Sequence, residues 1–135
     1  MRVVLDTNVF ISAAISKGKS RRLLLKLLRR EDVDILISRN ILNELNEVIK
    51  RPKFRLTEEE ISDFLTLVLE TVKMINVKSN FKVIKEDLRD NMFLNLAYDG
   101  KADHIVSGNR HLLSLKKFKG IKIISVSKTL KLLKR

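Results

Sequence analysis

Short runs of branched apolar residues alternate along this chain with longer stretches of helical spacing, and few folds accommodate that alternation. Val3-Val4-Leu5, Asp34-Ile35-Leu36-Ile37, Ile105-Val106 and Ile121-Lys122-Ile123-Ile124 read as short buried strands. Between them Ser20 to Arg30, Arg39 to Lys50, Thr57 to Lys73 and Asp90 to Asp99 read as helices, with Met74 to Val77 as a further short strand. Thr57 and Glu60 form a capping box, and Pro52 follows directly on the preceding helix. This order predicts an α/β fold, a mostly parallel sheet with helices on both faces. One proline, four glycines and no low-complexity stretch leave no linker, so residues 1–135 are expected to form a single domain. In such sheets ligands bind outside the carboxyl ends of the strands, near the point where strand order reverses.

Composition narrows the chemistry. There is no cysteine, which excludes a disulfide scaffold, an iron–sulfur cluster and a thiolate zinc site, and two histidines are too few for a multi-histidine metal site. The apolar runs Val9 to Ile15 and Leu23 to Leu28 fall far short of the roughly 20 residues that span a bilayer. Asp6 ends the first apolar run at once, so the amino terminus does not read as a signal peptide; an intracellular, cytoplasmic domain without membrane contact is expected. Lys and Arg number 28 against 16 Asp and Glu, a net charge of +12, with seven cations between Lys17 and Arg30 and eight between Lys116 and Arg135. Either these form a solvated surface, or they bind a polyanion and release its condensed counterions.

Carboxylates stand where the fold places its chemistry. Asp6 follows the first strand directly, where it either caps the next helix or lines a site. Ile41, Leu42, Leu45, Val48 and Ile49 form one apolar helical stripe; Glu44 lies at its edge and Glu47 points away. In Glu86-Asp87-Leu88-Arg89-Asp90-Asn91, Asp90 begins a helix, whose amino terminus favours a negative charge. After the strand Ile105-Val106 comes Ser107-Gly108-Asn109-Arg110-His111, which puts Asn109 at the same edge as Asp6. Carboxylates that converge in a basic protein repel one another and are costly to bury unless a cation joins them. Mg²⁺ or Mn²⁺ suits oxygen ligands, and with basic surroundings such a site suits phosphodiester hydrolysis.

These residues resemble a known family. Val4-Leu5-Asp6-Thr7-Asn8-Val9, Ile41-Leu42-Asn43-Glu44-Leu45, Asp87-Leu88-Arg89-Asp90-Asn91-Met92-Phe93-Leu94 and Ala102-Asp103-His104-Ile105-Val106-Ser107-Gly108-Asn109-Arg110-His111-Leu112-Leu113 are similar, in order and over most of the chain, to the PIN domain of VapC-like toxin–antitoxin systems. The resemblance implies a three-layer α/β/α sandwich, a Mg²⁺- or Mn²⁺-dependent ribonuclease, frequent homodimers, and a small antitoxin protein as partner. It puts the acidic site on Asp6, Glu44 and Asp90, with Asn109 completing the metal ligands. Thr7, Asn8 and Asp87 would support them, and Asp103 would either orient the site or simply stabilise the start of its strand. From the two basic runs, Arg21, Arg22, Arg29 and Arg30 or the carboxy-terminal lysines are expected to line the path of RNA. The family's Gly-Asp-x-Asp-Leu turn reads Gly108-Asn109-Arg110-His111-Leu112 here, so both aspartates are replaced. Asn109 keeps a carbonyl oxygen but brings no charge, which implies weaker metal binding. His111 reads as a surface residue of the turn, with substitute ligation as the other reading.

Other classes fail. There is no glycine-rich phosphate loop and no nucleophile elbow. Phe54, Phe64, Phe81, Phe93 and Phe118 are scattered and read as core, not as a base-stacking platform. An active nuclease, a catalytically weakened RNA-binding relic and a toxin held by an antitoxin remain the competing readings.

Overall fold

Branched apolar residues in unbroken runs need cover on both faces of a sheet, and the strands have it. The computed structural model describes residues 1–134; Arg135, last of the basic run, lies outside the described residues. Its strands are β1 (Arg2–Leu5), β2 (Asp34–Ile37), β3 (Val72–Met74), β4 (His104–Val106), β5 (Lys117–Phe118) and β6 (Ile121–Ile124). They form one sheet in the order β3-β2-β1-β4-β6-β5. All neighbours are parallel except β5, which runs antiparallel to β6. Val3, Val4 and Leu5 are all buried, as are Ile35, Leu36 and Ile37, so consecutive side chains on opposite faces are both covered.

The covering helices are α1 (Thr7–Ile15), α2 (Lys19–Leu28), α3 (Arg39–Ile49), α4 (Glu58–Thr71), α5 (Asn91–Asp99), α6 (Arg110–Leu113) and α7 (Val126–Leu132). This is the expected α/β sandwich with a mostly parallel central sheet. Helix α3 buries Ile41, Leu45 and Ile49 completely, the stripe that its spacing dictates, and leaves Glu47 exposed. The Thr57–Glu60 capping box opens α4, with Thr57 Oγ1 accepting from the Glu60 N–H and Glu60 Oε1 from the Thr57 N–H. Strand β3 begins earlier than its sequence suggests. Helix α4 stops at Thr71, and Val72 pairs with Ile35 at once.

Past β3 the chain reaches η-turn Leu88–Asp90 without joining the sheet. Residues 78–84 instead lie along α5, held by side chains spaced four apart on that helix. Asp99 accepts from the Lys78 and Ser79 N–H groups at 2.6 and 2.8 Å and from the Ser79 hydroxyl. Asn95 accepts from the Phe81 N–H at 2.7 Å and donates to its carbonyl at 3.3 Å. Asn91 accepts from the Ile84 N–H and donates to its carbonyl, both at 2.8 Å, and donates to the Leu88 carbonyl at 3.1 Å. A polar ladder on a buried helix thus replaces a neighbouring strand for this strap.

Candidate active site

From β1 the chain proceeds to β2 on one side and later to β4 on the other, so strand order reverses between β1 and β4. Asp6 and Ser107, the residues that follow those two strands, meet there. The Ser107 hydroxyl donates to Asp6 Oδ2 at 2.6 Å, and the Asn8 N–H donates to Oδ1 at 3.1 Å as the cap of α1. Asp6 is 3 % exposed, and among the described residues no cation pairs with it. Burial pushes its carboxyl above the ordinary carboxylate range. The hydrogen bonds from Ser107 and Asn8 oppose that shift, and the charges of Asp90 and Glu44 reinforce it.

Glu44 and Asp90 therefore share the electrostatic environment of Asp6, although they lie on different helices. Half-buried Glu44 leans from the edge of the α3 stripe to accept from the Thr7 hydroxyl at 2.7 Å. Asp90 stands at the amino terminus of α5, but its side chain makes no capping bond. Capping therefore does not explain this buried carboxylate; it faces the His111 ring instead, with Nδ1 3.2 Å from Oδ2. His111, expected at the surface, is only half-exposed and sits beside an acid, because the four-residue helix α6 turns it back over the strand ends.

Asn109 is engaged differently from a ligand. Its side-chain oxygen accepts from the His111 N–H at 2.8 Å and caps α6, while its own N–H donates to Ser107 Oγ at 2.9 Å. Asp87 accepts from Arg89, whose charge lies near Glu44 and Asp90, so Asp87 orients a cation at the rim. Asp103 does not join the group. It accepts from the Arg2 N–H at 2.8 Å at the amino ends of β1 and β4, and the length of β4, roughly 10 Å, separates it from Ser107.

Among the expected RNA-binding arginines, Arg21 is engaged with the carbonyls of Ala13 and Ala14 at the end of α1, at 2.8 and 2.9 Å. Arg30 forms a two-pronged pair with Asp32. Arg22 and Arg29 are exposed. Phe81 meets Tyr98 and Phe118 edge to face at 4.9 and 5.3 Å, which makes these aromatics packing residues, as expected. Ser107 and the α5 ladder were not singled out from sequence. A serine in the same post-strand position as Asp6, and polar residues at every fourth place of an apolar helix, were the signals.

Among the described residues, no three carboxylate or imidazole groups stand close enough to hold a metal ion as they are. The donor chemistry nonetheless fits one. Asp6, Glu44 and Asp90 present oxygen donors at one edge, and the buried Asp6 has no cation to balance it. Beside them a groove of ≈ 460 Å³ runs past Arg89, Leu88 and Met92 to Asn40 and the strap residues Asn80 and Phe81.

Comparison with known proteins agrees with this architecture. The family model described as PIN domain matches residues 2–111. The chain is 36% identical over 119 residues to the uncharacterized protein MJ1680 of Methanocaldococcus jannaschii, covering 86% of this chain and 76% of that protein. Two crystal structures share the fold at low identity. One is VapBC2 from Rickettsia felis bound to a DNA fragment from their promoter, with a TM-score of 0.62 and 18% identity, covering 93% of this chain and 98% of that one. The other is PAE2754 from Pyrobaculum aerophilum, with a TM-score of 0.59 and 21% identity, covering 99% and 90%. A sequence match over most of the chain, on a mostly parallel sheet of this strand order, makes this protein a member of the PIN domain family.

Proposed function

We propose that this PIN domain is a divalent-metal-dependent endoribonuclease. The observation behind the reading is Asp6: a buried carboxylate with no balancing cation, near Glu44 and Asp90, at the point where strand order reverses. Asp6, Glu44 and Asp90 are the residues that would hold Mg²⁺ or Mn²⁺. The bound ion would supply a hydroxide nucleophile at neutral pH and offset charge developing on the phosphate. Ser107 and the Asn8 N–H fix both oxygens of Asp6, so its orientation is set before substrate arrives. Thr7 orients Glu44 in the same way, and Arg89, steadied by Asp87, places a cation where a phosphodiester would enter.

The toxin reading draws on the VapBC2 structure, a complex of a protein of this fold. We infer a small antitoxin partner for this chain by that likeness, and a homodimer from the resemblance of its motifs to VapC-like proteins. One observation favours a weakened enzyme as the second reading: Asn109 has no charge, and its side-chain oxygen is engaged in capping α6. Calorimetry with Mn²⁺ and cleavage of a labelled RNA by wild type and Asp6→Asn test the proposal. Metal binding and cleavage that both vanish in Asp6→Asn support it. Equal Mn²⁺ binding by the two proteins overturns the site assignment, and RNA left intact by wild type under every divalent ion leaves the binding relic.

A further inference from the structure

The two basic runs lie at opposite ends of the sequence, yet the fold makes them neighbours. Helices α2 and α7 pack side by side, and the Lys19 ammonium donates to the Ser127 hydroxyl at 3.1 Å, joining their first turns. Their far ends converge on Met1. Its amino group donates to the carbonyl of Asp32, just past α2, and its side chain lines a cavity with Lys131 and Leu132 of α7. Both helices therefore run from the carboxyl edge of the sheet, where α7 leaves β6, to the amino edge.

Helical geometry decides where their cations point. At 3.6 residues per turn, Lys19, Arg22, Lys26 and Arg29 fall within an arc of about 80° on α2, and all are exposed. The Lys19 contact shows that this arc borders α7. On α7, exposed Lys131 lies about one turn beyond Ser127, on the side bordering α2, and Lys128 is exposed next to it. No Asp or Glu occurs in residues 17–30 or 104–135. Among the described residues none of these six cations is in an ion pair. Of the exposed apolar residues, Leu25 turns away to line a groove with Phe64 and Leu67 of α4, while Leu132 and Met1 share a cavity with Lys128 and Lys131 at the amino-edge end of the face.

We propose that the α2–α7 face is a track for a phosphate backbone, along which single-stranded RNA runs from the carboxylate edge of the sheet toward its amino edge. Like charges along two adjoining helices repel one another until a polyanion neutralises them, and counterion release then drives binding. A protein partner would need apolar anchors at the centre of the face, whereas Met1 and Leu132 sit at its far end, where the helices reach the amino edge. Exposed lysine and arginine contacts to phosphate hold the strand without reading its sequence. The track takes its ligand class from the ribonuclease reading but does not depend on cleavage.

The test measures the affinity of the Asp6→Asn protein for a fluorescein-labelled oligouridylate by anisotropy, over a range of KCl and without divalent ions. Six phosphate contacts on a single strand correspond to a log–log salt slope of about −4. The combined change Arg22→Glu, Lys26→Glu and Lys131→Glu should weaken binding at least tenfold and make the slope shallower by about 2. The neutral set Arg22→Gln, Lys26→Gln and Lys131→Gln should weaken it less, which guards against a folding defect in the reversed set. Reversing exposed Lys50, Lys73 and Lys85 instead should have little effect. Equal loss from the two reversed sets would reduce the effect to net charge and overturn the track. So would displacement of the RNA by polyglutamate as effectively as by unlabelled oligouridylate, since that marks an acidic protein partner. RNA binding that follows these expectations while wild type cleaves nothing would leave the track standing and the nuclease reading fallen.

Discussion

Asn91 is the residue on which the mounting of Asp90 is expected to depend. Its amide closes three hydrogen bonds, two to Ile84 and one to Leu88, and both Asn91 and Ile84 are buried. Asn91→Ala removes all three and leaves the Ile84 N–H and carbonyl without partners. A buried group left unsatisfied costs about 1–3 kcal/mol, so two of them place the loss near 2–6 kcal/mol. In a chain of this length that lowers the melting temperature by roughly 6–24 °C. Asn95→Ala provides the comparison, because it frees the Phe81 backbone in the same way but farther from Asp90. Both variants should melt early by differential scanning calorimetry. Well below the melting temperature, Mn²⁺ binding should weaken in Asn91→Ala and persist in Asn95→Ala. Asn91→Ala melting within a degree of wild type would refute the ladder as a structural support. Equal Mn²⁺ affinity in wild type and both variants would refute its link to Asp90.

Asp6→Asn should stabilise the metal-free protein at neutral pH. Burial, with the neighbouring charges of Asp90 and Glu44, lifts the Asp6 pKa in the fold above its ordinary 3.8, so its ionised form opposes folding. That penalty disappears as pH falls through the raised value toward 3.8, and the melting difference between the two proteins should close on acidification. A difference that does not vary with pH would mean that the carboxylate is not strained. Asn109→Asp should keep the α6 cap, since aspartate caps as well as asparagine, and should tighten Mn²⁺ binding about tenfold by calorimetry. Unchanged affinity would make Asn109 a capping residue only. Ser107→Ala should lower both kcat for RNA cleavage and the melting temperature, because buried Asp6 loses a donor and the Asn109 N–H loses its acceptor; wild-type cleavage would deny Ser107 a positioning role.

What could be read from the sequence was what repeats along it. The apolar runs of β1, β2, β4 and β6 and the stripe of α3 have periods that a single stretch of chain reveals, and with them come the placements of Asp6 and Glu44. Contacts between distant residues have no such period. Ser107 meets Asp6 across the 101 residues that separate them in sequence, and His111 meets Asp90 across 21. For Asp103 the sequence left two readings, and the structure agrees with the one in which it stabilises the start of its strand, since a parallel strand carries its two ends to opposite edges of the sheet. Strand β3 is misplaced for a related reason: Val72 ends an apolar helical stretch and opens a strand at once. Helix α7 did leave a signal in Ser125, whose hydroxyl accepts from the Lys128 N–H at 3.2 Å as its cap. Interspersed lysines obscured the Leu130 and Leu133 stripe behind it.

The strap is gripped almost wholly by its backbone. Asn91 and Asn95 bond to the peptide groups of Ile84 and Phe81, and α5 holds side chains at Ser79, through Asp99, and at Phe81, whose ring packs on Tyr98. Such a grip is indifferent to most of what the strap displays. Exposed Asn80, Lys82 and Val83 can therefore drift through many residue types while the peptide stays in register. Asn80 and Lys82 also line the groove beside the carboxylates. One wall of that groove is thus among the parts freest to change, and relatives of this protein could diverge in what they select while keeping an identical scaffold. A library randomised at these positions should yield mostly folded proteins.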